Sequence, residues 1–140
     1  MKNKCLFLLI FSFILFGCRQ TKALEGKWKT VSLEKDGQIQ KLYASNIQFT
    51  YSEAFYETKG SAGVNLFNVY VKDKGKSVET FGMVNTGFRG NAEAMEFEDM
   101  FFDAFLNSDS YKIEKDILIF YNQEKNLELK LKKIQKESEN

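Results

Sequence analysis

The sequence predicts an α+β domain in which a strongly curved, mostly antiparallel, barrel-like sheet wraps around a single long helix near residues 92–107. Three observations carry this expectation. Asn91 to Asn107 (NAEAMEFEDMFFDAFLN) is the one stretch with a sustained helical period. The segments on either side read as strands, most clearly where Leu127, Leu129 and Leu131 alternate with Glu128, Lys130 and Lys132. The helix interrupts these strands with three still to come, so one sheet must run on past it.

On a helical wheel at about 100° per residue, Ala94, Met95, Phe97, Phe101, Phe102, Phe105 and Leu106 fall on one broad arc. Glu93, Glu96, Asp103 and Asn107 fall opposite, with Met100 among them. Four phenylalanines on one face are too much apolar surface to leave in water, so the helix is expected on or inside the sheet. Glu98 breaks the pattern, lying between Phe105 and Phe102 on the apolar arc.

The chain has 140 residues, no proline, no histidine and a formal charge of +1, which bounds it to one domain. Residues 1–17 read as a secretory signal. Met1 to Lys4 is a short basic start, Cys5 to Phe16 (CLFLLIFSFILF) is apolar or small, and Gly17 precedes Cys18. The apolar run is shorter than the ~20 residues that span a bilayer. Leu15-Phe16-Gly17-Cys18 resembles the lipobox of bacterial lipoproteins, with Phe16 bulkier than the usual residue there. The resemblance implies cleavage before Cys18, palmitate-type acylation of its thiol, and attachment to the membrane through that lipid. A retained anchor helix and an ordinary signal cut elsewhere are the alternatives.

Without Lys2 and Lys4, 18 basic residues face 19 acidic ones, a net charge of −1. A near-neutral domain offers no electrostatic case for nucleic acid. Cys18 is then the only cysteine, so no disulfide is expected in the mature domain and stability must come from its core. Trp28 and the ten phenylalanines that remain after Phe7, Phe11, Phe13 and Phe16 leave can supply one.

Residues 18–23 form a short polar tether. LEGKWKTVSL (24–33) has apolar residues on both faces, as expected of a strand covered on both sides. Asp36-Gly37 is a strong turn signal. Ile47, Phe49 and Tyr51 alternate with polar residues as a half-buried strand, and Ala54 to Thr58 is its hairpin partner. Gly60-Ser61-Ala62-Gly63 reads as a small-residue turn, Leu66 to Lys72 as a strand, Lys72 to Lys76 (KDKGK) as a solvated hairpin tip, and Ser77 to Val84 as the next strand. Asn85 to Gly90 (NTGFRG) leads into the helix. Tyr111 to Glu114, Ile117 to Tyr121 and the alternating Leu127 segment follow, with turns at Lys115-Asp116 and Asn122 to Asn126. Residues 135–140 are expected to fray. The lysines of the last strand fall on its solvent face and are read as solvated rather than membrane-binding.

Gly60-Ser-Ala-Gly63-Val-Asn65-Leu-Phe67-Asn-Val-Tyr70, then Thr86, then Met95-Glu-Phe-Glu98-Asp-Met-Phe-Phe102, then Tyr111-Lys-Ile113 and Leu118 resemble the META domain, the family of the heat-shock protein HslJ. The resemblance covers residues 24–134. It implies a bacterial envelope lipoprotein, outer-membrane and periplasmic or surface-exposed, associated with stress response and without an established catalytic activity; a protein partner in the envelope fits that picture. It makes Gly60, Gly63, Asn65, Thr86 and Glu98 structural residues. Relatives often carry cysteines where this sequence has Val64 and Gly90, so any disulfide or redox role of those positions is absent here.

With no histidine, no mature thiol and no CxxC, the usual zinc sites and the Ser-His and Cys-His nucleophiles cannot be built, and no cofactor is implied. Glu93, Glu96, Glu98 and Asp99 crowd the start of the helix, where acids complement its dipole. Only Glu98 faces inward. It is either a structural acid, bonded to Thr86, Arg89 or the amides of the 85–90 loop, or a general acid or base in a cleft. On the structural reading, Glu98→Gln is expected to keep most of the fold, and Asn65 is expected to hold the turn from Gly60. The expectation is a non-enzymatic, structural or interaction module. The alternative is a lipocalin-type binder of small or hydrophobic ligands, suggested by Gly26-Lys-Trp28; the helix lies in the wrong place for it, and an interior filled by Phe97, Phe101, Phe102 and Phe105 would weaken it.

Overall fold

The computed structural model describes residues 22–136. The expectations for the signal segment 1–17, for Cys18, for most of the tether and for most of the tail therefore lie outside the described residues. Six strands precede the helix: β1 (Gly26–Lys35), β2 (Gln38–Ile39), β3 (Ser45–Ser52), β4 (Phe55–Ala62), β5 (Leu66–Asp73) and β6 (Val78–Asn85). After α1 (Ala92–Leu106) come β7 (Ser110–Glu114), β8 (Ile117–Asn122) and β9 (Leu127–Ile134). The long strands form one antiparallel sheet in the order β6-β5-β4-β3-β1-β9-β8-β7, with β2 paired only to β1. It curls into a half-barrel around the helix, as the sequence predicts.

Local chemistry accounts for much of this. Asp36 and Gly37 both take positive φ, 52° and 78°, in the two-residue link between the paired Lys35 and Gln38. That is the backbone geometry that matches strand twist in a tight hairpin. Asn91 caps the helix, its side-chain oxygen accepting from the Ala94 N–H at 2.9 Å. The helix then lays Phe97, Phe101 and Phe105 onto the sheet. The Phe105 ring stands 6.0, 6.1 and 5.1 Å from those of Phe49, Phe67 and Phe120, so residues of β3, β5 and β8 meet on one side chain. Leu24 is fully buried; its carbonyl accepts from the Trp28 indole N–H at 2.8 Å.

Three expectations are corrected. Strand β1 is not covered on both faces. A bulge between Thr30 and Ser32 shifts the register, so Trp28 and Leu33 both point inward although five positions separate them, and Val31 is left 38% exposed. Gly60-Ser61-Ala62 is not a turn but the end of β4, paired through Gly60 with Ile47 and Phe67. Met100 is buried, not solvent-facing: the buried arc of α1 runs from Met100 and Ala104 through Phe97 and Phe101 to Glu98, with Met95, Phe102 and Leu106 on its half-buried flank. The curl of the sheet, which no single segment records, sets that rotation.

The two sheet edges approach each other at one end. Tyr111 at the start of β7 donates its backbone N–H to the Lys76 carbonyl at 2.5 Å and its hydroxyl to Asp73 Oδ1 at 2.5 Å. Asp73 and Lys76 flank the β5–β6 tip, so this tip latches the far edge.

Candidate functional site

The polar centre of the molecule lies where the β4–β5 hairpin, the end of β6 and the second turn of α1 converge. The hairpin turns at Gly63 (φ 97°), closed by the Ala62 N–H donating to the Asn65 carbonyl at 3.0 Å. Asn65 is 2% exposed and Glu98 4%. The Asn65 backbone N–H donates to Glu98 Oε2 at 2.8 Å, and its side-chain Nδ2 donates to Glu98 Oε1 at 2.7 Å. The second Nδ2 hydrogen goes to the Phe88 carbonyl at 2.9 Å. Asn65 Oδ1 accepts from the Thr86 hydroxyl at 2.7 Å and from the Phe88 N–H at 2.6 Å.

Asn65 thus makes all four hydrogen bonds that its amide allows. Thr86 extends the chain: its Oγ1 accepts from the Leu66 N–H at 3.3 Å, and its own N–H donates to the Leu66 carbonyl at 3.1 Å. A buried polar cluster that is fully satisfied rigidifies its surroundings instead of destabilising them. Both carboxylate oxygens of Glu98 accept a hydrogen bond inside the protein.

The structure brings Asn65, Thr86 and Glu98 together but redistributes their roles. The direct donors to Glu98 come from Asn65; Thr86 and the 85–90 loop reach it at one remove, and Arg89 is exposed on the surface. Asn65 does not hold a turn running from Gly60, because the left-handed residue there is Gly63. It bridges three segments instead. Gly60 serves by close approach: a Cβ at this position would lie 2.2 Å from the Asn46 carbonyl oxygen and 2.7 Å from the Phe67 ring. Val64 and Gly90 face each other, a Cβ on Gly90 falling 2.7 Å from Val64 Cγ2, so valine fills the space that separates the two loops.

A second polar pair, Tyr111 with Asp73, sits at the latch. Burial, and then the hydrogen bond to the Asp73 carboxylate, push the Tyr111 phenol well above its ordinary range. Tyr56 is raised as well, chiefly by burial. Outside, Phe55, Tyr70 and Phe81 form a ring cluster on the convex face of β4, β5 and β6, with centroids 5.3 to 5.8 Å apart. The space enclosed by the half-barrel is taken by Phe97, Phe101 and Phe105, each at most 1% exposed.

The family model of the META domain matches residues 21–134. Neither the curated proteins nor the solved structures contain a match to this chain.

Proposed function

The chain belongs to the META-domain family, and on that premise we propose that it is a lipid-anchored, non-catalytic module of the bacterial cell envelope, held through Cys18. The observation that carries the non-catalytic half is the engagement of Glu98. Glu98, the one inward acid and so the one candidate for acid–base work beside its structural reading, has both oxygens bonded to Asn65 and is 4% exposed. The anchored half rests on the lipobox resemblance of Leu15 to Cys18. A structural, interaction or stress-related role is then exercised through the surface and loops, with an envelope protein as the partner class. The lipocalin-type alternative needs interior room, and the helix aromatics occupy it.

Expression of the full chain with an alkynyl palmitate analogue tests the anchor. The wild type should label and fractionate with membranes even at high salt, whereas Cys18→Ser should not label and should either be released by high salt or stay unprocessed; labelling of that variant would refute the assignment. Titration with a fluorescent fatty acid tests the alternative. Saturable one-to-one binding that Phe105→Leu alters would place ligand binding first.

A further inference from the structure

The convex face of the sheet gathers lysines from strands that are far apart in the chain. Antiparallel register sets Lys132 of β9 opposite Lys29 of β1, and Lys29 opposite Asn46 of β3. In the adjacent row Lys27 stands opposite Gln48, and Gln48 opposite Lys59 of β4. Each of these side chains alternates with an inward partner such as Trp28, Ile47, Thr58 or Leu131, so all of them point outward, and the four lysines are exposed.

Gln48 lies between Lys27 and Lys59, Asn46 and Ser61 continue the row of Lys29, and Asn68 continues that of Lys59. From β9 across to β6 the two rows end in the exposed Leu66, Val84 and Ile134 and carry no carboxylate. Acids border the face at Glu25, two residues before Lys27, at Glu57, two residues before Lys59, and at Asp116, whose Oδ2 is 3.7 Å from Lys132 Nζ. Among the described residues Lys27, Lys29 and Lys59 form no ion pair, whereas Lys132 of the same face and Lys41, Lys74, Lys112, Lys125 and Lys130 all do. Like charges directly opposite on neighbouring strands are destabilising. Lys29 therefore faces a like charge across the strand pair, offset only from the Lys132 side by Asp116, and an external anion at Lys29 would relieve the remainder.

Chain length fixes which anion is within reach. Lys22, the first described residue, lies at the end of the half-barrel with its Nζ 5.1 Å from the Tyr51 ring centre. Four residues from Cys18 to Lys22 extend at most about 14 Å, and Lys27 follows five residues later. An anchor at Cys18 therefore holds the end of the sheet that carries Lys27 near the headgroups. We propose that the Lys27–Lys29–Lys59–Lys132 face docks the domain onto an anionic lipid surface, ammonium groups meeting headgroup phosphates and the Asn and Gln amides filling the gaps between them. The orientation follows: the convex face of β9, β1, β3 and β4 lies on the membrane, and the ring cluster near the β6 edge is turned toward its rim. The proximity argument rests on the Cys18 reading; the charge argument does not.

Sedimentation with vesicles tests it, using the mature chain from residue 18 with Cys18→Ser so that no acyl chain contributes. Vesicles containing phosphatidylglycerol should retain the protein, pure phosphatidylcholine vesicles should not, and the difference should vanish as salt shortens the Debye length. Lys27→Gln with Lys29→Gln should weaken partitioning by roughly fivefold per lysine. Lys41→Gln with Lys125→Gln, the same loss of charge outside the face, should change it by less than twofold. Equal retention on both vesicle types, or equal loss from both double variants, would overturn the proposal. Failure of the anchor is read separately, as missing palmitate label on the full chain, and leaves the vesicle result standing.

Discussion

Asn65 and Glu98 are 33 positions apart in sequence, yet Asn65 gives both its backbone N–H and its side-chain N–H to the two oxygens of that carboxylate, at 2.8 and 2.7 Å. The pair clasps the β4–β5 hairpin to the helix, and through Thr86 and Phe88 it also holds the loop between β6 and α1. This revises what Glu98→Gln should do. An amide has one acceptor, so it must turn its NH2 toward one of two Asn65 donors. The substitution should cost about 1 to 3 kcal/mol, and Glu98→Ala at least as much, since it leaves both donors unsatisfied. Asn65→Leu strands a buried charged group and should cost more than either. Urea unfolding of the three variants checks the order, and an unchanged midpoint for Glu98→Gln would show that the clasp is dispensable.

Gly60 is expected to resist even one methyl group. Its virtual Cβ meets a backbone carbonyl oxygen, Asn46 O, at 2.2 Å, and backbone within a paired strand cannot swing aside. Gly60→Ala should therefore destabilise by about 1 to 3 kcal/mol through overpacking. Thermal unfolding next to wild type measures this, and the damage should appear as lost amide protection in β3 and β5.

Phe105 joins rings from β3, β5 and β8 and is fully buried. Phe105→Ala should cost about 3 to 5 kcal/mol. Phe81→Ala, on a ring 48% exposed, should cost far less. Equal losses in denaturant titrations would mean that the core is centred elsewhere.

Tyr111 should make the latch sensitive to alkali. Its folded pKa is raised above the unfolded value of 10, so the fold holds that proton more tightly than the unfolded chain does. Stability from this group is complete below pH about 10 and is lost as pH rises through the higher folded value. Tyr111→Phe should unfold about 1 kcal/mol more easily at neutral pH, because the bond to Asp73 is gone. It should also lose less stability than wild type above pH about 10. Phenolate absorbance of the wild type should show Tyr111 ionising only with the unfolding step; a single early titration of all the tyrosines would contradict this.

The sequence by itself determined the features that a few neighbouring residues decide. The span of α1 follows from its period, the Asp36-Gly37 turn from residues that accept positive φ, and β9 from strict alternation. The inward aim of Glu98 was legible in the same way, because a helical wheel is local geometry. Its partner was not, since Asn65 arrives from a hairpin whose position depends on the whole strand order. Tertiary structure alone decided the bulge that turns Leu33 inward, the rotation that buries Met100, and the placing of Gly60 against Asn46. It also decided that the last strand's lysines do not stand alone. Strand β9 lies beside β1 because the half-barrel closes that way, and this pairing of distant segments sets Lys132 opposite Lys29. Alternation can assign a side chain to a face, but only long-range register says which charges share it.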